Sequence, residues 1–181
     1  METYQQKFTR LQNEIFSLLC FKAGEKLNQR TISKFLKVSP TAVAKSLPLL
    51  EKEKLIKIEK GKNINLNFVT LNQDNKRAIE LKRIENLKNI YESGLSECLE
   101  ENFPGCTIIL FGSYSRGEDA VKSDIDITII GTKGKEINLS TFEKRLEKDI
   151  RINFYPSLNH IHIYLKSNIL NGIILAGAIQ L

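Results

Sequence analysis

The chain has 181 residues, of which 41% are hydrophobic, 27% charged and 8% aromatic. These proportions exclude disordered and fibrous classes and leave room for one ordinary domain or two small ones. No apolar run reaches the roughly 18 residues of a membrane span, and the N-terminus METYQQKFTR lacks the apolar stretch of a signal peptide, so a cytoplasmic protein without a membrane partner is expected. Cys20, Cys98 and Cys106 are odd in number, far apart and without a C-x-x-C pair, which argues against a disulfide framework and a zinc site. The net charge of +6 is unevenly spread: residues 1–70 carry 13 Lys and Arg against 6 Asp and Glu, and the remainder carries 14 against 15. A polyanion-binding module joined to a near-neutral one has this asymmetry; a solvated basic surface is the plainer alternative.

Phe8, Leu11, Ile15, Leu18 and Leu19 recur at helical spacing and predict a first helix that ends at Gly24. Asn28 is placed to cap a second helix whose inward residues are Ile32, Phe35 and Leu36. Ser39-Pro40, a cap followed by proline at the first helical position, starts a third carrying Ala42, Val43, Leu47 and Leu50. The period then changes to alternation, with Ile56 and Ile58 before the polar tip 59–63 and Ile64, Leu66 and Phe68 after it, a β-hairpin. Three helices and a hairpin resemble the winged helix-turn-helix, whose third helix enters the DNA major groove while the wing follows phosphates. The resemblance covers residues 1–71 and implies contact with double-stranded DNA through Ser39, Thr41, Ala42 and Lys45 on the helix and Lys60, Lys62 and Asn63 on the wing. Pro48 departs from the pattern and predicts a kinked or shortened third helix. Such a module also serves as a docking or dimerisation unit, which leaves a homodimer open.

Residues 72–103 carry a helical stripe of Ala78, Leu81, Ile84, Leu87, Tyr91, Leu95, Cys98 and Leu99, with Glu80, Lys82, Arg83, Glu85 and Lys88 opposite. This predicts a helical connector, bent at Gly94 and ended by Pro104-Gly105.

The third part, 104–181, carries the chemistry. The apolar run 106–111 (CTIILF) reads as a strand covered on both faces. It leads into Gly112-Ser113, then ten residues, then Asp124-Ile125-Asp126. Alternate side chains of a strand share a face, so Asp124 and Asp126 project together while Ile125, Ile127 and Ile129 bury the other side. Paired carboxylates repel unless a cation lies between them, and magnesium, which favours oxygen ligands and phosphates, fits. Gly112 lets a triphosphate approach the backbone, Ser113 can donate to a phosphate oxygen, and Arg116 can neutralise another. A nucleoside triphosphate is the ligand these parts suit.

The glycine-serine turn and D-x-D strand resemble the minimal nucleotidyltransferases of the DNA polymerase beta superfamily. With the preceding winged helix and the ending NILNGIIL, the chain resembles an archaeal group of them. The resemblance implies an α+β fold with a small mixed sheet, Mg2+ held by Asp124 and Asp126, phosphates held by Gly112, Ser113 and Arg116, and transfer of a nucleoside monophosphate to a hydroxyl. It also implies a third carboxylate on a neighbouring strand. In the matching stretch 149–155 Asn153 stands at that position, and it carries no charge and takes up no proton at neutral pH. Asp149 could substitute only in a different register, and Glu118 or Asp119 in the loop are fallback ligands. His160 and His162 lack further partners for a metal. Residues 159–170 fit a strand by the alternation of Ile161, Ile163 and Leu165 or a helix by Ile161, Tyr164, Leu165 and Ile169; a C-terminal helix packing on the sheet is the favoured reading, with the final segment as core or an apolar surface.

Two functions stay open. The first is a transferase whose acceptor is a protein, as the resemblance to antitoxin-type members allows with a toxin as partner, or a small molecule or RNA. The second is a DNA-binding regulator whose degenerate transferase domain binds nucleotide only.

Overall fold

The computed structural model describes residues 7–61 and 66–179. The chain forms two compact units, residues 1–82 and 83–181, so the connector expected over 72–103 is divided between them and is not a body of its own. Among the described residues no helix is long and apolar enough to cross a membrane.

In the first unit α1 (Arg10–Phe21) is opened by a capping box, in which Thr9 accepts from the Gln12 amide while the Gln12 side chain accepts from the Thr9 amide. Strand β1 (Leu27–Asn28) precedes α2 (Gln29–Leu36), which Asn28 caps at Thr31, and α3 (Pro40–Lys52) is capped by Ser39. A three-stranded antiparallel sheet follows, with β3 (Asn67–Leu71) between β1 and β2 (Ile56–Lys60). The order helix, short strand, two helices, hairpin, with the short strand added to the hairpin, is the winged-helix topology. Its core joins Ile15, Leu19, Ile32, Val43, Leu47, Leu50 and Val69.

Two expectations change here. Helix α3 runs through Pro48 to Lys52 and is not shortened; Pro48 lies on the exposed side, where a carbonyl deprived of its amide can be hydrated. Phe35, expected inward, is largely exposed, and the short β1 carries too little pattern to have been foreseen.

Helix α4 (Lys76–Glu92) crosses the boundary between the units and is followed at Gly94, φ +80°, by α5 (Leu95–Asn102). Its buried stripe is Ala78, Lys82, Asn86 and Ile90. Ile84 and Tyr91, read as inward, are exposed, and Lys82, read as solvated, is buried.

The second unit is built on a mixed four-stranded sheet, ordered β6, β5, β4, β7. Strand β4 (Thr107–Phe111) leads directly into the short helix α6 (Gly112–Arg116); β5 (Ile125–Ile130) returns antiparallel to β4. Helix α7 (Ser140–Leu146) carries the chain to β6 (Ile150–Tyr155), parallel to β5. Helix α8 (Ile163–Leu170) then precedes β7 (Ile173–Ala176), antiparallel to β4. The final apolar segment, expected only as core or surface, thus supplies an edge strand. One sheet face, with Ile108, Leu110, Ile125, Ile127 and Ile129, packs against Ile90, Leu95, Leu99 and Leu146. The other, with Ile109, Phe111 and Ile130, packs against Leu158, Ile161 and Ile169.

Candidate active site

Strand register decides which side chains meet. Phe111 pairs with Asp126 across β4 and β5, and Asp126 lies beside Arg151 across β5 and β6. The next row on this face is Ile109, Thr128 and Asn153. Partners in register share a face, so the carboxylates project from the face that α8 partly covers, while Ile125, Ile127 and Ile129 of β5 fill the opposite core.

The turn after β4 closes on the same row. Gly112 has φ +75°, and a Cβ there would lie 2.5 Å from Oδ2 of Asp126. The missing side chain therefore makes room for the carboxylate of Asp126, a stronger constraint than the phosphate approach inferred from the sequence. Within the turn Ser115 donates to the Gly112 carbonyl at 2.9 Å, and the Glu118 amide donates to the Ser113 carbonyl at 3.0 Å. Ser113 is half-buried. Arg116 is exposed, its Nε donating to Glu118 at 2.7 Å and its Nη1 to Oδ1 of Asn168 on α8 at 3.1 Å.

Burial raises the proton affinity of Asp126, the negative charge of Asp124 raises it further, and Arg151 opposes both. Arg151 meets Asp124 directly, with Nη2 2.9 Å from Oδ2. Asp126 stays destabilised as an anion despite that guanidinium, so the pair still calls for positive charge. Two carboxylate oxygen donors, one of them partly desolvated, suit one hard divalent cation.

Residues 92–175 match the family model described as a nucleotidyltransferase domain. The second unit carries a nucleotidyltransferase domain. No curated protein matches the chain significantly. Among solved structures it is similar to ZitR of Lactococcus lactis, a zinc-responsive MarR family member, at 25% identity over 55% of this chain and 66% of that one, TM-score 0.41. It is similar to the adhesin competence repressor AdcR from Streptococcus pyogenes at 19% identity over 56% and 71%, TM-score 0.43. Likeness at these scores does not establish a shared fold, and the winged-helix assignment rests on element order and strand pairing.

Within the nucleotidyltransferase domain no third carboxylate joins the pair: among the described residues no three Asp, Glu, His or Cys side chains converge. Arg151, not Asn153, is the register neighbour of Asp126; Asn153 lies beside Thr128, whose buried hydroxyl has no hydrogen-bond partner. Asp149 precedes β6, is exposed, and uses its backbone carbonyl to accept from the Ile125 amide. Glu118 is engaged by Arg116. A cavity of about 450 Å³ lined by Lys133, Lys135, Ile150, Ile152 and Phe154 belongs to the opposite sheet face and has no part in this site.

Asp119 has a different role. It is buried, 3.2 Å from Nζ of Lys148, and accepts from Nδ2 of Asn86 at 2.6 Å. Lys148 also donates to the Ala120 carbonyl at 2.5 Å, and Asn86 to the Tyr114 carbonyl at 2.8 Å. Burial, and then the charge of Asp119, push the Tyr114 hydroxyl far up and keep it neutral. This network fixes the loop between the glycine-serine turn and the carboxylates. Sequence reading missed Lys148 and Asn86; the available signal was Asn86 on the i, i+4 stripe 78, 82, 86, 90.

In the winged-helix unit Ser39, Thr41 and Lys45 are exposed at the start of α3, Ala42 is half-buried, and Lys60 is exposed at the end of β2. Ser39 caps α3 by accepting from the Ala42 amide at 3.1 Å. Lys62 and Asn63 lie outside the described residues.

Proposed function

We propose that the chain transfers a nucleoside monophosphate from a nucleoside triphosphate to an acceptor hydroxyl, and that its winged-helix unit binds double-stranded DNA. The observation that carries the reading is the carboxylate of Asp126, packed against Gly112 on the face it shares with Asp124. Asp124 and Asp126 would hold a magnesium ion, which neutralises phosphate charge and polarises the bond to be broken. The turn at Gly112 and Ser113 with Arg116 would hold the phosphates, and Arg151 would exchange Asp124 for a phosphate oxygen as the ligand enters. Asn153 cannot accept the proton of the acceptor, which leaves Asp126 or solvent to take it.

A second reading is favoured by Arg151 and Asn153 on β6. A guanidinium stands beside the pair and an amide in the next row, where a carboxylate would assist transfer, which suits a domain that binds nucleotide without turnover and reports it to a DNA-binding unit.

Incubation with α-labelled triphosphates and Mg2+ in the presence of protein and RNA fractions tests both. Transfer predicts label incorporation and pyrophosphate release by the wild type, lost in Asp126→Asn. A silent wild type with label gained by Asn153→Asp would favour the second reading.

A further inference from the structure

Resting on the reading of Gly112, Ser113 and Arg116 as phosphate ligands, we infer that the exposed ring of Tyr164 on α8 is the platform on which the nucleobase of the bound triphosphate stacks. Helix α8 is fastened on two sides. Its inner stripe, Leu165 and Ile169 with Ile161 one turn before, packs on Ile109 and Phe111, the sheet face that also carries Asp126. Its flank is tied to the phosphate turn through the bond from Arg116 to Asn168.

Tyr164 and Asn168 are four residues apart, hence neighbours on one helix flank. The ring therefore lies one turn along α8 from the Arg116 guanidinium. Strand β6 ends at Tyr155 beside Ile130, the sheet end away from Gly112, and β7 begins at Ile173 beside Leu110, next to it. Helix α8 thus runs toward the turn, with Asn168 near the phosphates and Tyr164 set back. A nucleotide has the same order: phosphate, ribose, base.

The ring is 87% exposed, although the helix that bears it is firmly seated. It lies beside His162, centroids 5.2 Å apart and planes inclined by 33°, and is open to solvent. An open aromatic face beside phosphate ligands suits a purine or pyrimidine, because every base presents a π surface. Neither ring of this pair distinguishes one base from another, so broad acceptance of triphosphates is expected.

The chain contains no tryptophan, so Tyr164→Trp introduces a single reporter. With Mg2+ present, ATP, GTP, CTP and UTP should quench its fluorescence while inorganic tripolyphosphate binds without quenching. In calorimetry Tyr164→Ala should weaken nucleoside triphosphates about tenfold and leave tripolyphosphate unchanged, and Tyr164→Phe should bind as wild type. The inference is overturned if wild type binds tripolyphosphate as tightly as ATP, if Tyr164→Ala weakens both alike, or if Tyr164→Ala converts a dimer to a monomer in sedimentation. The first of these outcomes leaves the phosphate site standing, whereas a wild type that binds neither ligand removes both.

Discussion

The two units hold their candidate functional residues in opposite ways. In the winged-helix unit, Thr41, Lys45 and Lys60 stand exposed on elements whose stability comes from a separate apolar core. In the nucleotidyltransferase unit, Asp126 is wedged against Gly112, and its loop is tied down by the buried Asp119, Lys148 and Asn86. A surface built on an independent core tolerates truncation of its side chains and keeps its fold, whereas a site braced by buried charge does not.

The sharpest way to break this contrast is Lys148→Met. It removes the Lys148 ammonium from the buried Asp119, and breaking a buried ion pair from one side costs about 3 to 5 kcal/mol; it also frees the carbonyl of Ala120. Chemical denaturation should show that loss, and triphosphate binding should fall with it. The double variant Lys148→Met with Asp119→Leu should recover part of that loss, since an apolar pair replaces the buried ions while Asn86 gives up its bond to Asp119. Equal stability of wild type and the single variant would mean that the loop is held otherwise.

The next effect concerns the carboxylates themselves. Asp126→Asn should weaken the joint binding of Mg2+ and ATP about a hundredfold, near 2.7 kcal/mol, in isothermal titration. Because burial and Asp124 raise the proton affinity of Asp126, protons compete with the cation over a range above the ordinary value of 3.8. Cation affinity should therefore climb as pH rises through that range, with proton release, and then level. The sign for the cation-free fold is opposite. A carboxyl whose proton affinity is raised by folding contributes most when protonated, so stability should fall as pH rises through the same window, and added Mg2+ should restore it. Asp126→Asn should remove both dependences.

A smaller change tests the strand that departs from the family pattern. Arg151→Asp replaces the cation beside Asp126 with a third carboxylate on the same face. Mg2+ should bind about tenfold more tightly, near 1.4 kcal/mol. An unchanged affinity would show that the guanidinium, which is largely exposed, already yields to solvent cations at no measurable cost.

The same contrast explains what was legible in the sequence. Helix α1 carried a stripe, α3 a stripe and a cap, and β5 strict alternation after a glycine-serine turn; these signals are local, so they survive without knowledge of the fold. The inner face of α4 was not legible, because its buried Lys82 and Asn86 break the apolar rule, and Asn86 is buried for polar partners far away in sequence, Tyr114 and Asp119. Arg151 was missed for a related reason. The stretch 149–155 alternates, but which of its residues stands beside Asp126 depends on the register of β6 against β5, and a parallel pair joined through α7 leaves no turn from which to read it.

The smallest expected effect lies in the winged-helix unit. Lys45 and Lys60 are exposed and sit on separate elements, so Lys45→Ala with Lys60→Ala should leave thermal unfolding unchanged. If both meet phosphates, the double variant lowers the slope of log affinity for duplex DNA against log salt by about 1.8, at about 0.9 for each phosphate no longer neutralised. The slope is the decisive quantity, because a general loss of positive charge also reduces affinity but spreads across every basic side chain of the unit. Thr41→Ala supplies the complementary reading: with no charge to remove, it should leave the slope alone and alter only the preference among sequences, as a side chain at a base edge does. A slope unmoved by losing both lysines would make the +7 of the first 70 residues a solvated surface, and the nucleotidyltransferase unit would then hold the whole of the chain's ligand chemistry.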